Sequence, residues 1–136
     1  MPNSMGHKRD LLSGRNVLVV EDNFLVAEAI RDLLQEYGSA VLGPVGKVAP
    51  ALALMDQYRV DAAILDINLQ GEWSFPVARR LLTRGIPFLF LTGYDDLSII
   101  PPDLREVTRI TKPFDDRNLA VHAGLLFSAD PAKPLA

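Results

Sequence analysis

The sequence has 136 residues, of which 49% are hydrophobic and 23% charged, a balance that suits one globular domain and leaves no room for a second. The formal net charge is −3 and both signs are intermixed, so we expect neither a nucleic-acid nor a membrane partner. The absence of cysteine excludes disulfides, thiolate metal sites and thiol catalysis. The amino terminus has no long apolar segment, and we therefore expect a cytoplasmic protein.

Short apolar runs alternate with segments of helical periodicity along the chain. The predicted strands cover residues 16–20, 40–42, 61–66, 87–91 and 107–110. The predicted helices cover residues 24–38, 48–58, 75–85 and 113–127. Between the fourth and fifth strands, the adjacent Pro101 and Pro102 leave space only for a short or irregular helix.

The spacing of apolar residues predicts which side of each helix faces the core. The predicted inner residues are Leu25, Ala29, Leu33 and Leu34; Val48, Leu52 and Met55; Val77, Leu81 and Leu82; and Leu119, His122, Ala123 and Leu126. Strands alternating with helices indicate the α/β class, with a parallel sheet covered on both faces. We expect the domain to span residues 15–127, with a flexible extension at 1–14 and a disordered tail at 128–136.

Residues able to carry chemistry stand at the ends of four predicted strands. They are Glu21 and Asp22 after the first strand, Asp66 at the end of the third, Thr92 after the fourth and Lys112 after the fifth. Because parallel strands end at one rim of the sheet, these groups should converge there. Three crowded carboxylates either retain protons or recruit a cation, and oxygen ligands without nearby His or Cys favour Mg²⁺.

The lysine and the threonine indicate a phosphoryl group as the further partner, since an ammonium and a hydroxyl both suit its oxygens. A carboxylate at a strand end can accept that group as an acyl phosphate. Each residue alone also suits a structural role, because the acidic residues can cap a helix or turn and Lys112 can be a surface lysine. Their joint placement at successive strand ends favours the functional interpretation.

The stretches VLVVEDN, AAILDINLQG, FLFLTGY and ITKPF resemble the receiver domain of two-component response regulators. The resemblance implies a flavodoxin-like, doubly wound, five-stranded parallel sheet of order 2-1-3-4-5, with helices on both faces and a short or irregular fourth helix. It makes Asp66 the phosphoacceptor, Thr92 the switch hydroxyl and Lys112 the phosphoryl contact. The implied ligands of Mg²⁺ (or Mn²⁺) are Glu21, Asp22, Asp66 and the backbone carbonyl of Asn68. The resemblance also implies a cis peptide bond between Lys112 and Pro113.

Residues 90–94 are similar to a receiver subgroup marked by Phe-Ala-Thr-Gly-Tyr, although Leu91 replaces the alanine. The subgroup is of interest because Arg109 stands where the family has its switch aromatic. One hypothesis is that Tyr94 takes over part of the switching. The other is that the irregular segment 95–102 changes its order instead.

These features predict a stand-alone phosphoacceptor module, not a metabolic enzyme, that receives phosphate from a histidine kinase or a histidine phosphotransfer protein. It would signal to a downstream protein by conformational change or act as a phosphate sink, as a monomer or weak dimer. An aspartyl-phosphate phosphatase is disfavoured, because its general-acid aspartate is replaced here by Asn68. A receiver-like interaction module that works without phosphorylation stays open as the alternative.

Overall fold

The computed structural model describes residues 12–93 and 98–127, without the side chains of residues 125–127. The strands are Asn16–Val20 (β1), Ala40–Val45 (β2), Ala62–Asp66 (β3), Phe88–Thr92 (β4) and Arg109–Thr111 (β5). The α-helices are Phe24–Glu36 (α1), Val48–Gln57 (α2), Phe75–Thr83 (α3) and Asp116–Phe127 (α4). Between β4 and β5, residues 98–99 have 3-10 geometry and Pro102–Leu104 form a 3-10 turn.

The strands form one five-stranded sheet in the order β2-β1-β3-β4-β5, and every neighbouring pair is parallel. This arrangement confirms the predicted doubly wound fold. The short 3-10 turn fits the expectation of an irregular fourth helix, although residues 94–97 lie outside the described ranges. The carboxyl ends of β1, β3, β4 and β5 therefore meet at one rim of the sheet.

The core has two layers, one on each face of the sheet. One layer contains Leu18, Val20, Ala63, Leu65, Phe88 and Phe90 together with residues of α2 and α3. The other contains Val17, Val19, Ala62, Ile64, Leu89 and Leu91 together with residues of α1 and α4. Successive strand residues point to opposite faces, so strands covered on both sides must be apolar throughout. This requirement explains the continuous apolar runs of the central strands.

Two of the predicted helix faces were wrong in part. In α1 the buried residues are Ala27, Ile30, Leu33 and Leu34. Leu25 is instead 76% exposed and Ala29 also faces solvent. Residues 27, 30 and 34 recur at three- and four-residue intervals, so they form one stripe that excludes position 25. In α3 the buried stripe runs through Ala78 and Leu81, which leaves Leu82 47% exposed.

The boundaries of three elements also differ from the prediction. Strand β2 does not stop before Gly43 and continues to Val45, because an edge strand tolerates a proline where the pairing is irregular. Strand β5 is shifted to residues 109–111. Helix α4 begins at Asp116 and not at Pro113, since the Asp115 carboxylate caps it by accepting a hydrogen bond from Asn118 N at 2.7 Å. Within α4, Leu119 and Ala123 are buried as expected, His122 is half-buried, and the side chain of Leu126 lies outside the description.

The packed part of the domain includes residues before position 15, where the sequence analysis placed its start. Leu12 is 1% exposed and belongs to the core layer beneath α1 and α4. Its carbonyl accepts a hydrogen bond from Ser39 Oγ at 2.7 Å. The predicted tail at 128–136 lies outside the described residues. None of the described helices is both long enough and apolar enough to cross a membrane.

Candidate functional site

Three carboxylates meet at the rim where β1 and β3 end. Glu21 and Asp22 follow β1, and Asp66 is the last residue of β3. One oxygen from each of the three side chains lies within 4.8 Å of the others. Strands β1 and β3 pair directly, with Val20 opposite Leu65, and this register brings the acidic residues side by side. The convergence expected from the strand ends is present for these residues.

Lys112 joins this acidic cluster from β5. Its ammonium donates a hydrogen bond to Asp66 Oδ2 at 2.9 Å and lies 2.8 Å from Glu21 Oε1. The contact with Glu21 is ionic, because Oε1 does not accept a well-oriented hydrogen bond. Burial by itself would lower the pKa of Lys112, but the close contacts of its ammonium with the carboxylates of Glu21 and Asp66 outweigh burial and raise that pKa. The lysine is therefore a permanent positive charge in the site.

Glu21 is the most deeply buried acid of the site. Its side chain has 0% exposure, and its Oε2 accepts a hydrogen bond from Asn23 N at 3.0 Å. Burial raises the pKa of Glu21 to about 7, although the contacts with Lys112 and Asn23 oppose this effect and the charge of Asp66 adds to it. Glu21 can therefore release a proton near neutral pH when a cation reaches the site.

The helix cap is separate from the acidic pair. Asn23 caps α1, and its Oδ1 accepts a hydrogen bond from Val26 N at 3.1 Å. Capping therefore accounts for Asn23, whereas Glu21 turns towards Lys112. On the neighbouring strand, Asn68 N donates to Asp66 Oδ1 at 3.3 Å, which folds the Asn68 backbone back towards the acidic cluster.

Thr92 lies at the end of β4, next to the acidic cluster in the sheet. It has 0% exposure, and its Oγ1 has no hydrogen-bond partner among the described residues. The backbone next to it is fixed, since Lys112 N donates to Thr92 O at 2.8 Å. A buried hydroxyl without a hydrogen-bond partner is costly to the folded state.

Three further features noted in the sequence concern the surroundings of the site. Arg109 is exposed, and its Nη1 donates to Arg105 O at 2.9 Å, so this arginine fastens the loop before β5. Tyr94 lies outside the described residues, and its suggested part in switching stays a prediction. The Lys112–Pro113 peptide bond is cis, as the sequence resemblance implied, and Gly43–Pro44 is a second cis bond.

A sequence model of the response regulator receiver domain matches residues 17–123. This chain belongs to that family. Receiver domains are modules of two-component signalling and are not metabolic enzymes, and phosphorylation and Mg²⁺ binding at an acidic pocket are typical of them. The family expected from the four sequence stretches is thus confirmed.

Several relatives are similar to this receiver domain over most of its length. SdrG from Sphingomonas melonis Fr1 is 39% identical in sequence and superposes with a TM-score of 0.70. The match covers 82% of this chain and 96% of SdrG. A response regulator receiver protein from Burkholderia phymatum is 28% identical with a TM-score of 0.72, covering 85% of this chain and 97% of that one. The aerobic respiration control protein ArcA of Escherichia coli (strain K12) is 28% identical over 83% of this chain and 48% of ArcA. This receiver domain spans about half the length of the curated relatives it matches.

The donor set of the receiver site fits a hard divalent cation. The carboxylates of Glu21, Asp22 and Asp66 supply oxygen ligands that converge on one point, and oxygen is the donor that Mg²⁺ prefers. Lys112 supplies positive charge to two of these carboxylates.

Sequence reasoning missed two contacts of the site. The first is the ion pair between Lys112 and Glu21, because the lysine was expected to contact a phosphoryl group and not an acid of β1. The second is the close approach of Gly46 to Asp22, from the loop after β2. The GPVG stretch at residues 43–46 was the available signal, but the predicted strand at 40–42 ended before it.

Proposed function

We propose that this receiver domain accepts a phosphoryl group on Asp66 from the phosphohistidine of a histidine kinase or a histidine phosphotransfer protein. The observation that carries the proposal is the position of Asp66 Oδ2, 2.9 Å from the ammonium of Lys112 and inside the acidic cluster. A carboxylate held beside a fixed cation can act as a nucleophile towards phosphorus. The incoming negative charge is then met by Lys112.

The transfer balances with the groups at hand. An oxygen of Asp66 forms the new bond to phosphorus while the bond from phosphorus to the histidine nitrogen breaks, and that nitrogen keeps the electron pair. Lys112 stays protonated, since its pKa is raised by its acidic neighbours, and it neutralises charge on the phosphoryl oxygens. Mg²⁺ or Mn²⁺, held by Glu21, Asp22, Asp66 and the Asn68 carbonyl, would supply further neutralisation when bound.

The conformational signal of the phosphorylated domain would depend on the buried hydroxyl of Thr92. Its Oγ1 has no partner among the described residues, and a phosphoryl oxygen on Asp66 would give it one. A conformation in which Thr92 and Lys112 both contact the phosphoryl group is therefore favoured after phosphorylation. The change is read by a downstream protein, or the domain drains phosphate from another regulator, acting as a monomer or weak dimer. Beyond assisting its own phosphorylation and dephosphorylation, the domain turns over no substrate.

We assign the domain to the Phe-Ala-Thr-Gly-Tyr type of receiver, with Tyr94 as a switch residue. Support comes from Leu91, which replaces the subgroup's alanine yet is fully buried beneath α1 and α4, so the longer side chain is accommodated within the fold. Support also comes from Arg109, which is committed to a backbone carbonyl and offers no aromatic side chain. If Tyr94→Ala leaves both the phosphorylation-induced spectral change and partner binding intact, Tyr94 has no part in the switch.

Acetyl phosphate with Mg²⁺ tests the proposal directly. Intact mass measurement should show one phosphoryl group that is stable in acid and labile in base, and Asp66→Asn should abolish it. Asp32→Asn is the matched control, because Asp32 is 71% exposed on α1 and takes no part in the site. An adduct that persists in Asp66→Asn would refute the assignment. No adduct with any donor, including a cognate kinase, would leave the phosphorylation-independent interaction module as the function.

A further inference from the structure

Strand β2 carries one residue more than its neighbour. Leu18 pairs with Leu42 and Val20 pairs with Val45, so two residues of β2 stand opposite one of β1. The extra residue is a β-bulge built on Gly43, whose φ is +95°. A Cβ at Gly43 would lie 2.8 Å from Val45 N and 2.9 Å from Val19 O, so only glycine fits there. The bulge sets where the chain that follows β2 meets the end of β1.

That chain reaches the acidic pair. Glu21 N donates to Val45 O at 2.9 Å, so pairing continues beyond the last residue of β1. The next residue, Gly46, then lies against Asp22. A Cβ at Gly46 would be 3.2 Å from Asp22 Cα and 3.3 Å from Asp22 Cβ, closer than an ordinary van der Waals contact of 3.4–4 Å. Gly46 has no left-handed backbone, so close packing and not backbone strain disfavours a side chain here.

Neither side of Gly46 is free to move away. Val45 is tied to Glu21 N and packs against the core. Val48 starts α2, also packs against the core, and donates its N–H to Glu72 Oε2 at 3.4 Å. An added methyl group at Gly46 would therefore displace Asp22 by a few tenths of an ångström. The atoms in contact are Cα and Cβ, which cannot avoid the methyl group by a side-chain rotation.

We infer that Gly46 is a positioning residue for Asp22 and that it sets the preference of the acidic site for a small divalent ion over a large one. The inference rests on the metal site of the proposed function. Mg²⁺ requires near-octahedral oxygens at about 2.0–2.1 Å, whereas Ca²⁺ accepts flexible coordination at about 2.3–2.6 Å. A small displacement of Asp22 therefore weakens Mg²⁺ binding more than Ca²⁺ binding.

The test compares the affinities of wild type and Gly46→Ala for Mg²⁺ and for Ca²⁺. Calorimetry or the fluorescence of Trp73, the chain's one tryptophan, which is paired by a β-bridge with Asn68, can follow each titration. Gly46→Ala should weaken Mg²⁺ by about tenfold and Ca²⁺ by about twofold or less. Gly85→Ala is the control, because its φ of +68° makes alanine strained while nothing lies within 4 Å. That variant should lose stability but keep the wild-type ratio of Mg²⁺ to Ca²⁺ affinity.

Different failures identify different errors. If the wild type binds no Mg²⁺, the metal site of the proposed function is wrong, and this inference falls with it. If the wild type binds Mg²⁺ but Gly46→Ala leaves the affinity ratio unchanged, only the role of Gly46 is overturned.

Thermal denaturation in EDTA gives a second measurement, which tests the contact between Gly46 and Asp22 even if Gly46→Ala is less stable than wild type. The loss of melting temperature caused by Gly46→Ala should be smaller in an Asp22→Gly background, because Asp22 Cβ, one of the two atoms that the methyl group meets, is gone and the backbone there can adjust more freely. Equal losses in both backgrounds would overturn the proposed contact.

Discussion

The ionisation of Glu21 predicts an unusual pH dependence for the metal-free protein. Glu21 is fully buried, and its pKa rises from 4.5 in the unfolded chain to about 7 in the folded one. Because the folded value is the higher of the two, the folded state holds the proton more tightly. The contribution of Glu21 to the free energy of unfolding is therefore complete below pH 4.5 and is lost as the pH rises through about 7.

The size of the effect follows from the same two values. The interval between 4.5 and about 7 corresponds to about 3 kcal/mol of unfolding free energy. The stability contributions of Asp103 and Lys112, whose pKa values are also shifted, do not change over this pH range. The pKa of Asp103 is lowered from 3.8, so its contribution is lost only at lower pH, and that of Lys112 is raised from 10.5, so its contribution is lost only at higher pH. The loss between acidic and neutral pH thus reports on Glu21.

The assay is urea denaturation in EDTA at about pH 5 and about pH 8, for wild type and Glu21→Gln. The wild type should lose about 2.5 kcal/mol between the two conditions, because part of the full effect is already lost at about pH 5. Glu21→Gln should lose little, since glutamine has no proton to release. A pH effect that does not involve Glu21 is common to both proteins and cancels in the comparison. Mg²⁺ should restore wild-type stability at the higher pH, because it binds the ionised site. Equal losses in the two proteins would refute the claim that burial holds the proton on Glu21.

Three substitutions test other parts of the structure by urea denaturation. Thr92→Val removes a buried hydroxyl without a described partner, so the unphosphorylated protein should keep its stability or gain about 1 kcal/mol. The response of Trp73 fluorescence to phosphorylation should be lost. A clear destabilisation would mean that the hydroxyl already has a partner. Phe90→Ala empties a fully buried position between two other phenylalanines and should cost about 3–5 kcal/mol, with phosphorylation retained in the folded fraction; a cost below about 1 kcal/mol would contradict the packing. Gly43→Ala forces a Cβ to within 2.9 Å of Val19 O at a φ of +95° and should cost about 1–3 kcal/mol; an unchanged midpoint would argue against the bulge.

Sequence patterns predicted the parts of this protein that depend on local order. Apolar runs of four residues marked β1, β3 and β4, because strands covered on both faces have no polar side. Alternation with helices made the sheet parallel, and parallel strands end at one rim. The positions of Glu21, Asp66 and Lys112 at that rim followed without knowledge of any contact between them.

Only the tertiary structure decided how these residues meet. The burial of Leu33 in α1 with Leu25 left in solvent depends on which stripe of the helix lies on the sheet, and the wholly apolar first turn, residues 24–27, does not specify that stripe. The bulge at Gly43 and the contact of Gly46 with Asp22 depend on the register of β2 against β1. Register and helix rotation are set by packing between segments that lie far apart in the chain. They determine the distances between site atoms to within a few tenths of an ångström. A linear pattern carries the identity of the reacting groups, whereas the fold determines the geometry in which they act.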